Sequence, residues 1–257
     1  MRILSYTDAV AAITSVPEYV GLLNQQNLKA RGCSTIAELM VQRQNAVLDL
    51  HEPANHVYLD ALRAQSAKYT RYRRYLQYTG IILSDGSDEQ RASHCCGNNI
   101  VFTVPMMGKL DTLFPHEVWH IISRQLPDNI IDRMGAMFNI YPTLFYIPAE
   151  LRECMLVNPD NLNVYYSHLV DGYRIVLLPV IRNNRMFDTT LAFVVSDTLL
   201  YQLDEGRANY AKQRIAAVCD TTYISGLDEV LADNFSNFYN GEKSSRSVKM
   251  IAAIPLN

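Results

Sequence analysis

His116, Glu117 and His120 stand in the stretch PHEVWHIISR, Pro115 to Arg124, and their types and spacing are those of a hydrolytic metal centre. On a helix turning about 100 degrees per residue, His116 and His120 lie within about 40 degrees of each other and one turn apart, so both imidazoles can reach one ion. Glu117 is displaced by one residue. Its carboxylate therefore points beside the ion, where it can act on a water, and not onto the ion as a ligand. This is the HExxH arrangement of zinc hydrolases, and Zn2+ is the expected cofactor. Pro115 suits the first position of a helix, where a missing N–H costs nothing, so the helix is predicted to begin there. Ser123 extends the polar stripe, and Val118, Ile121 and Ile122 fall on the other side. A second histidine pair, in HEPANH at residues 51–56, has Pro53 between its members and is predicted to be a loop.

Catalytic zinc needs a third protein ligand and an open position. In DEVLADNFSNF, Glu229, Asp233 and Ser236 share one helical face and Leu231, Phe235 and Phe238 the opposite one. Glu229 can bind the metal from that face, and Asp233 can orient a histidine ring from behind the ligands.

With these two segments the chain resembles the gluzincin metallopeptidases, which pair HExxH with a downstream Glu followed four residues later by Asp. It looks particularly like a group of bacterial gluzincin-like proteins. In these, HExxH is followed by Ser-Arg, here Ser123 and Arg124, then by Asn-Pro-Asp, here Asn158 to Asp160, and by ExxA(D/E)NF, here Glu229 to Phe235. The resemblance spans roughly residues 97 to 238 and implies zinc held by His116, His120 and Glu229, Glu117 as general base and Asp233 behind the ligands. It also implies an oxyanion donor, for which Tyr223 and His168 are the candidates. Glu229 comes far later in the chain than the third ligand of thermolysin-like enzymes, which leaves Glu150, Glu153 and His168 open for that role. In zincin-like folds the strand before the active helix is a sheet edge that pairs with an extended peptide. The segment Gly97 to Pro105, GNNIVFTVP, holds that place. A protein or peptide substrate is the expectation.

The elements that must position these residues read as an α+β fold, zincin-like, with a helical region over 1–78 and a catalytic region with a small mixed sheet over 79–257. The absence of a Pro/Gly/Ser-rich linker suggests one compact unit with a cleft. Thr35 and Glu38 form a capping box, with Gly32 as the stop of the preceding helix. A third helix is predicted over 55–77, its stripe formed by Tyr58, Leu62, Tyr69, Tyr72 and Leu76, with Gln65 the one polar member. GIILS and NNIVFTV read as strands, a helix follows from about Asp128, and VYYSHLV, YRIVLLPVI and LAFVVS are apolar runs in a mixed stretch. The tail from Tyr223 returns to helix.

A formal charge of −3, from 23 basic and 26 acidic residues, gives no general attraction to nucleic acid or anionic membrane. No apolar run approaches the length of a membrane span, and the first twenty residues do not read as a secretory signal. Five scattered cysteines are no disulfide scaffold and point to a cytoplasmic, reducing setting. An alternative of another class lies in Tyr69 to Tyr75, where tyrosines and arginines interleave as on single-stranded nucleic-acid surfaces. A zincin fold without activity, kept for partner binding, is a further alternative. Nothing in the sequence fixes the oligomeric state.

Overall fold

Side-chain caps define the helices at the N-terminal end. Ser5 accepts a hydrogen bond from the Asp8 N–H at the start of α1 (Tyr6–Thr14), and α2 (Pro17–Leu22) carries its proline at the first position. Asn24 caps α3 (Gln25–Ala30), which ends at Gly32 with φ +76°. Thr35 caps α4 (Ile36–Ala46) through the Glu38 N–H at 3.1 Å, while the Glu38 carboxylate takes the Ser34 N–H at 2.7 Å. The expected capping box is present, with its return bond one residue earlier.

The structure, a computed structural model, describes residues 1–160 and 165–256. By internal contacts the chain divides into two compact units, Met1–Gln125 with Leu256, and Leu126–Pro255. The division falls directly after the HExxH helix and not at residue 78, because the N-terminal helices share one core with the sheet that carries that helix. The class is mixed α+β.

In the first unit, β1 (Arg2–Ile3) and β2 (Val47–Leu48) both pair with β3 (Gly80–Ser84), one at each of its ends. On its other side β3 pairs in parallel with β5 (Asn99–Thr103), and β4 (His94–Cys96) lies antiparallel to β5 at the end of the sheet. β5 is therefore an interior strand, buried along most of its length. The expected edge at Gly97–Pro105 is corrected: the edge is β4, three residues too short and too polar to read as a strand. Leu4, Ile13, Val47, Ile82 and Val101 form the core under α1.

The helix predicted over 55–77 breaks in two, into α5 (His56–Ala67) and α6 (Arg73–Leu76), joined through a 3-10 turn at Thr70–Tyr72. Its stripe survives the break, with Leu62, Gln65, Tyr69, Tyr72 and Leu76 all buried. The tyrosine faces that a nucleic acid would need are thus inside the core. Arg71 and Arg74 lie over the rings of Tyr72 and Tyr75 at 5.1 and 4.9 Å. In HEPANH, a 3-10 turn at Pro53–Asn55 runs into α5, as a proline-broken segment should.

A buried charge network pins the segment leading into β4. Glu89 receives Arg31 Nε and one Arg43 guanidinium nitrogen, each at 2.8 Å, and the Tyr19 hydroxyl at 2.7 Å. Both arginine side chains are fully buried. Burial alone would raise the Glu89 carboxyl, but the two guanidiniums hold it down at about 2.

The second unit is built on a five-stranded antiparallel meander that the sequence does not announce. After α8 (Asp128–Ala136) come β6 (Ile140–Pro142), α9 (Ala149–Cys154), β7 (Tyr166–Val170), β8 (Tyr173–Arg182), β9 (Arg185–Ser196) and β10 (Leu199–Gln202), paired in the order β10-β9-β8-β7-β6. The three apolar runs become β7, β8 and β9; Val164, the first residue of one run, lies outside the described residues. Asp171-Gly172, Asn183-Asn184 and Asp197-Thr198 all have positive φ and form the two-residue turns between the last four strands. Phe145, Ile147, Val176, Leu178 and Phe193 pack on one face of this sheet. α10 (Glu205–Cys219) buries Ala211, Ile215 and Cys219, and α11 (Leu227–Tyr239) and α12 (Ser245–Ala252) complete the unit. No described helix is long and apolar enough to cross a membrane.

Removing the Glu89 charge should leave the buried Arg31 guanidinium without its anion, and Arg43 with the Asp88 carboxylate at 4.0 Å from its Nε. Glu89→Gln is expected to cost about 3–5 kcal/mol, measured by urea unfolding. In the native chain the folded-state carboxyl lies below its ordinary value near 4.5. Its stabilising contribution is therefore complete above about pH 4.5 and is lost as pH falls towards 2. Urea midpoints measured across that window should drop more steeply for the native chain than for Glu89→Gln.

Candidate metal centre

The HExxH residues lie on α7 (Leu110–Ser123), which starts five residues before the predicted position. A 3-10 turn over Val104–Lys109 leads into it, and Pro115 sits inside the helix, where its ring takes the place of one backbone donor. Every residue from Phe114 to Ser123 is buried. Two stacked ring pairs, Tyr69 on Phe114 at 5.5 Å and Phe102 on Phe114 at 5.1 Å, fix the start of the helix against the α5–α6 segment and β5. At its other end, Arg124 donates to the Gly97 carbonyl at 2.6 Å, and Gln125 to the Tyr75 carbonyl at 2.9 Å. A cation at a helix C-terminus is favourable in itself. Here it also holds the β4–β5 turn, which gives the Ser-Arg pair after HExxH a physical role.

The His116 and His120 rings lie 4.9 Å apart between centroids and are inclined at 72°. The Cys95 thiol, on β4, lies 3.5 Å from a Glu117 carboxylate oxygen and 3.4 Å from the Glu117 carbonyl. Cys95 was not singled out from the sequence; only the pairing of β4 brings it there.

Glu229 occupies the first turn of α11, where the helix dipole favours a carboxylate. The Asn158 side-chain amide donates to Glu229 Oε1 at 2.7 Å, and Asn158 Oδ1 accepts the Asp160 N–H at 3.0 Å. The Asn-Pro-Asp motif is thus a turn whose asparagine clamps Glu229, a role that its position in the sequence could not reveal. Leu227 packs over Gly135 of α8, where an added Cβ would meet the Leu227 side chain at 3.1 Å and the Ile140 carbonyl at 3.0 Å. A Cβ there would require these neighbours to give by a few tenths of an ångström. Asp233 accepts a hydrogen bond from the Thr221 hydroxyl.

One ligand atom from each of His116, His120 and Glu229 lies within 4.8 Å of the others, and all three residues are buried. This group could hold a metal ion. Glu150 and Glu153 are exposed on α9 and do not belong to it. His168 is likewise elsewhere, in β7 and buried in the antiparallel sheet. Burial lowers its imidazole to about 4, although a backbone hydrogen bond with Ile224 acts the other way. Cys219 Sγ lies 3.9 Å from its Nδ1. His168 is therefore assigned to the core, tied to the segment that precedes α11, and is not among the group of His116, His120 and Glu229. Tyr223 lies in that segment, part-exposed, with its N–H donating to Thr221 Oγ1 at 3.0 Å. Cys95, Glu117 and Asp160 also offer ligand atoms within 4.8 Å of one another.

No family model, curated protein or solved structure matches this chain.

The clamp on Glu229 makes a graded expectation. Calorimetric titration of the apo protein with Zn2+ should show binding all but lost in Glu229→Ala, as in His116→Ala or His120→Ala, and weakened about 10- to 100-fold in Asn158→Ala. Glu150→Ala and Glu153→Ala should bind like the native chain. Unchanged affinity in Glu229→Ala would remove that residue from the ligands.

Proposed function

We propose that this chain is a zinc-dependent metallohydrolase of zincin-like fold that cleaves amide bonds in proteins or peptides. The observation that carries the reading is the convergence of His116, His120 and Glu229 within the reach of one ion, with Glu117 beside the two histidines on the same helix. Two imidazoles and one carboxylate are a donor set that suits zinc and leaves a fourth position for substrate or water. When bound there, zinc would acidify water and polarise a carbonyl.

The remaining chemistry belongs to the chain. Glu117, next to the first ligand, accepts the proton of the attacking water and returns it to the leaving amine. Asn158 holds Glu229 by a neutral hydrogen bond, so the carboxylate keeps its charge for the metal. Asp233 is proposed to orient one imidazole, and Tyr223 to donate to the oxyanion. All five cysteines are free thiols, which suits a reducing compartment.

Glu117→Gln separates base from ligand. On any peptide that the native protein cleaves, turnover should fall about 10²- to 10⁴-fold, with zinc content unchanged at about one per chain. Turnover near that of the native chain would rule Glu117 out as the base.

A further inference from the structure

The second unit contains a cavity of about 450 Å3, within the range of small-ligand sites, that opens beside the clamp on Glu229. Its walls come from Leu156, Pro179, Ala216 and Ile224, with Tyr223 and Asn158 at the rim of the set. A smaller cavity of about 150 Å3 shares Leu156, Asn158, Pro179 and Ser225 with it and reaches Glu229 itself. The two cavities are thus neighbours with four lining residues in common.

Lys212 is the only charged side chain among the described residues lining the larger cavity. It extends from α10, is part-buried, and donates to the Thr190 carbonyl at 2.6 Å. Among the described residues it forms no ion pair. An ammonium has three donors, so two remain beyond the bond to Thr190. Thr190, Thr222, Gln213 and Ser225 line the same cavity, and their hydroxyls and carboxamide can bind an anion but cannot neutralise a lysine. A lone cation in a recess with low-dielectric walls attracts negative charge strongly.

We infer that this cavity is a substrate subsite that selects an acidic side chain, with Lys212 as its specificity-determining residue. The inference rests on the hydrolase reading for the word substrate, but the recognition of a carboxylate does not require it. A substrate could offer the same group from its C-terminus. Lys212, on α10, is not among the residues lining the smaller cavity that contains Glu229, which fits the longer reach of a side chain.

Three small probes separate these sources: N-acetyl-glutamate α-amide carries only the side-chain carboxylate, N-acetyl-glutamine only the α-carboxylate, and N-acetyl-glutamine amide neither. Their affinities for the full-length apo protein are measured by ligand-observed NMR titration at fixed ionic strength, so neither metal nor turnover enters the readout. The glutamate amide is expected to bind about ten-fold or more tightly than either of the others. Lys212→Met and Lys212→Gln should abolish that preference, and Lys212→Arg should retain it. Equal affinity for the three probes, preference for the α-carboxylate, or a glutamate preference that survives Lys212→Met with a native unfolding curve would overturn the subsite. Failure to bind zinc or to hydrolyse any peptide, in a protein that shows the Lys212-dependent preference, would overturn the hydrolase reading alone.

Discussion

Burying polar side chains on a helix that has almost no exposed face is the constraint on which the first unit depends. α7 carries His116, Glu117, His120 and Ser123 among ten consecutive buried residues. A buried polar group left unsatisfied costs about 1–3 kcal/mol, and a buried charge more. Such a helix is tenable only if its surroundings are specified residue by residue. Cys95 lies against Glu117, Ser123 returns its hydroxyl to the His120 carbonyl at 3.2 Å, and Arg124 closes the C-terminal end. The apolar side is equally determined, with Phe114 held between the rings of Tyr69 and Phe102. On the proposed reading, an ion bound by His116 and His120 would satisfy two of these demands together.

The N-terminal helices then acquire a purpose beyond covering the sheet. β4 is only three residues long and, at the end of its sheet, pairs only with β5. It owes its position to what precedes it, where Glu89 is fastened to Arg31 directly after α3, Arg43 on α4 and Tyr19 on α2. Buried ion pairs are weak contributors to net stability but strict about geometry, since displacing one partner strands the other. A network of this kind fixes the approach to Cys95, and through Cys95 the neighbourhood of Glu117.

What could be read from the sequence was what local rules encode. The capping box at Thr35, the stop at Gly32, the strand at Gly80–Ser84 and the amphipathic α11 follow from spacing and side-chain type within a dozen residues. The HExxH pair needs only one helical turn to show its geometry. Expectation and structure differ where partners are distant or where a rule has exceptions. Pro115 suits a helix start, yet a helix can absorb a proline near its first turns. β5 reads as an edge because β4 has too few residues to show alternation. Asp-Gly and Asn-Asn stand at turns of the β7–β10 meander, but the nearly continuous buried run of β8 hides the period of two. His168 qualifies on chemical type alone, and its surroundings make it a core residue.

Asn158 shows most clearly why the site could not be completed from the chain in order. Its value lies in a single bond to Glu229, across a sequence separation over which no periodicity operates. On the proposed reading, its chemistry matters as much as its place. Two neutral imidazoles and one carboxylate leave a divalent ion with a net positive charge, which is what keeps it able to polarise a carbonyl. A lysine or arginine clamping Glu229 would draw the carboxylate's charge away from the ion and add a repelling charge of its own. A carboxamide fixes the same oxygen without either effect, and leaves the second carboxylate oxygen for the metal. Lys212, the one charged side chain among the described residues of the larger cavity, lines that cavity and is not part of the clamp. There it can act on a substrate while leaving Glu229 to act on the ion.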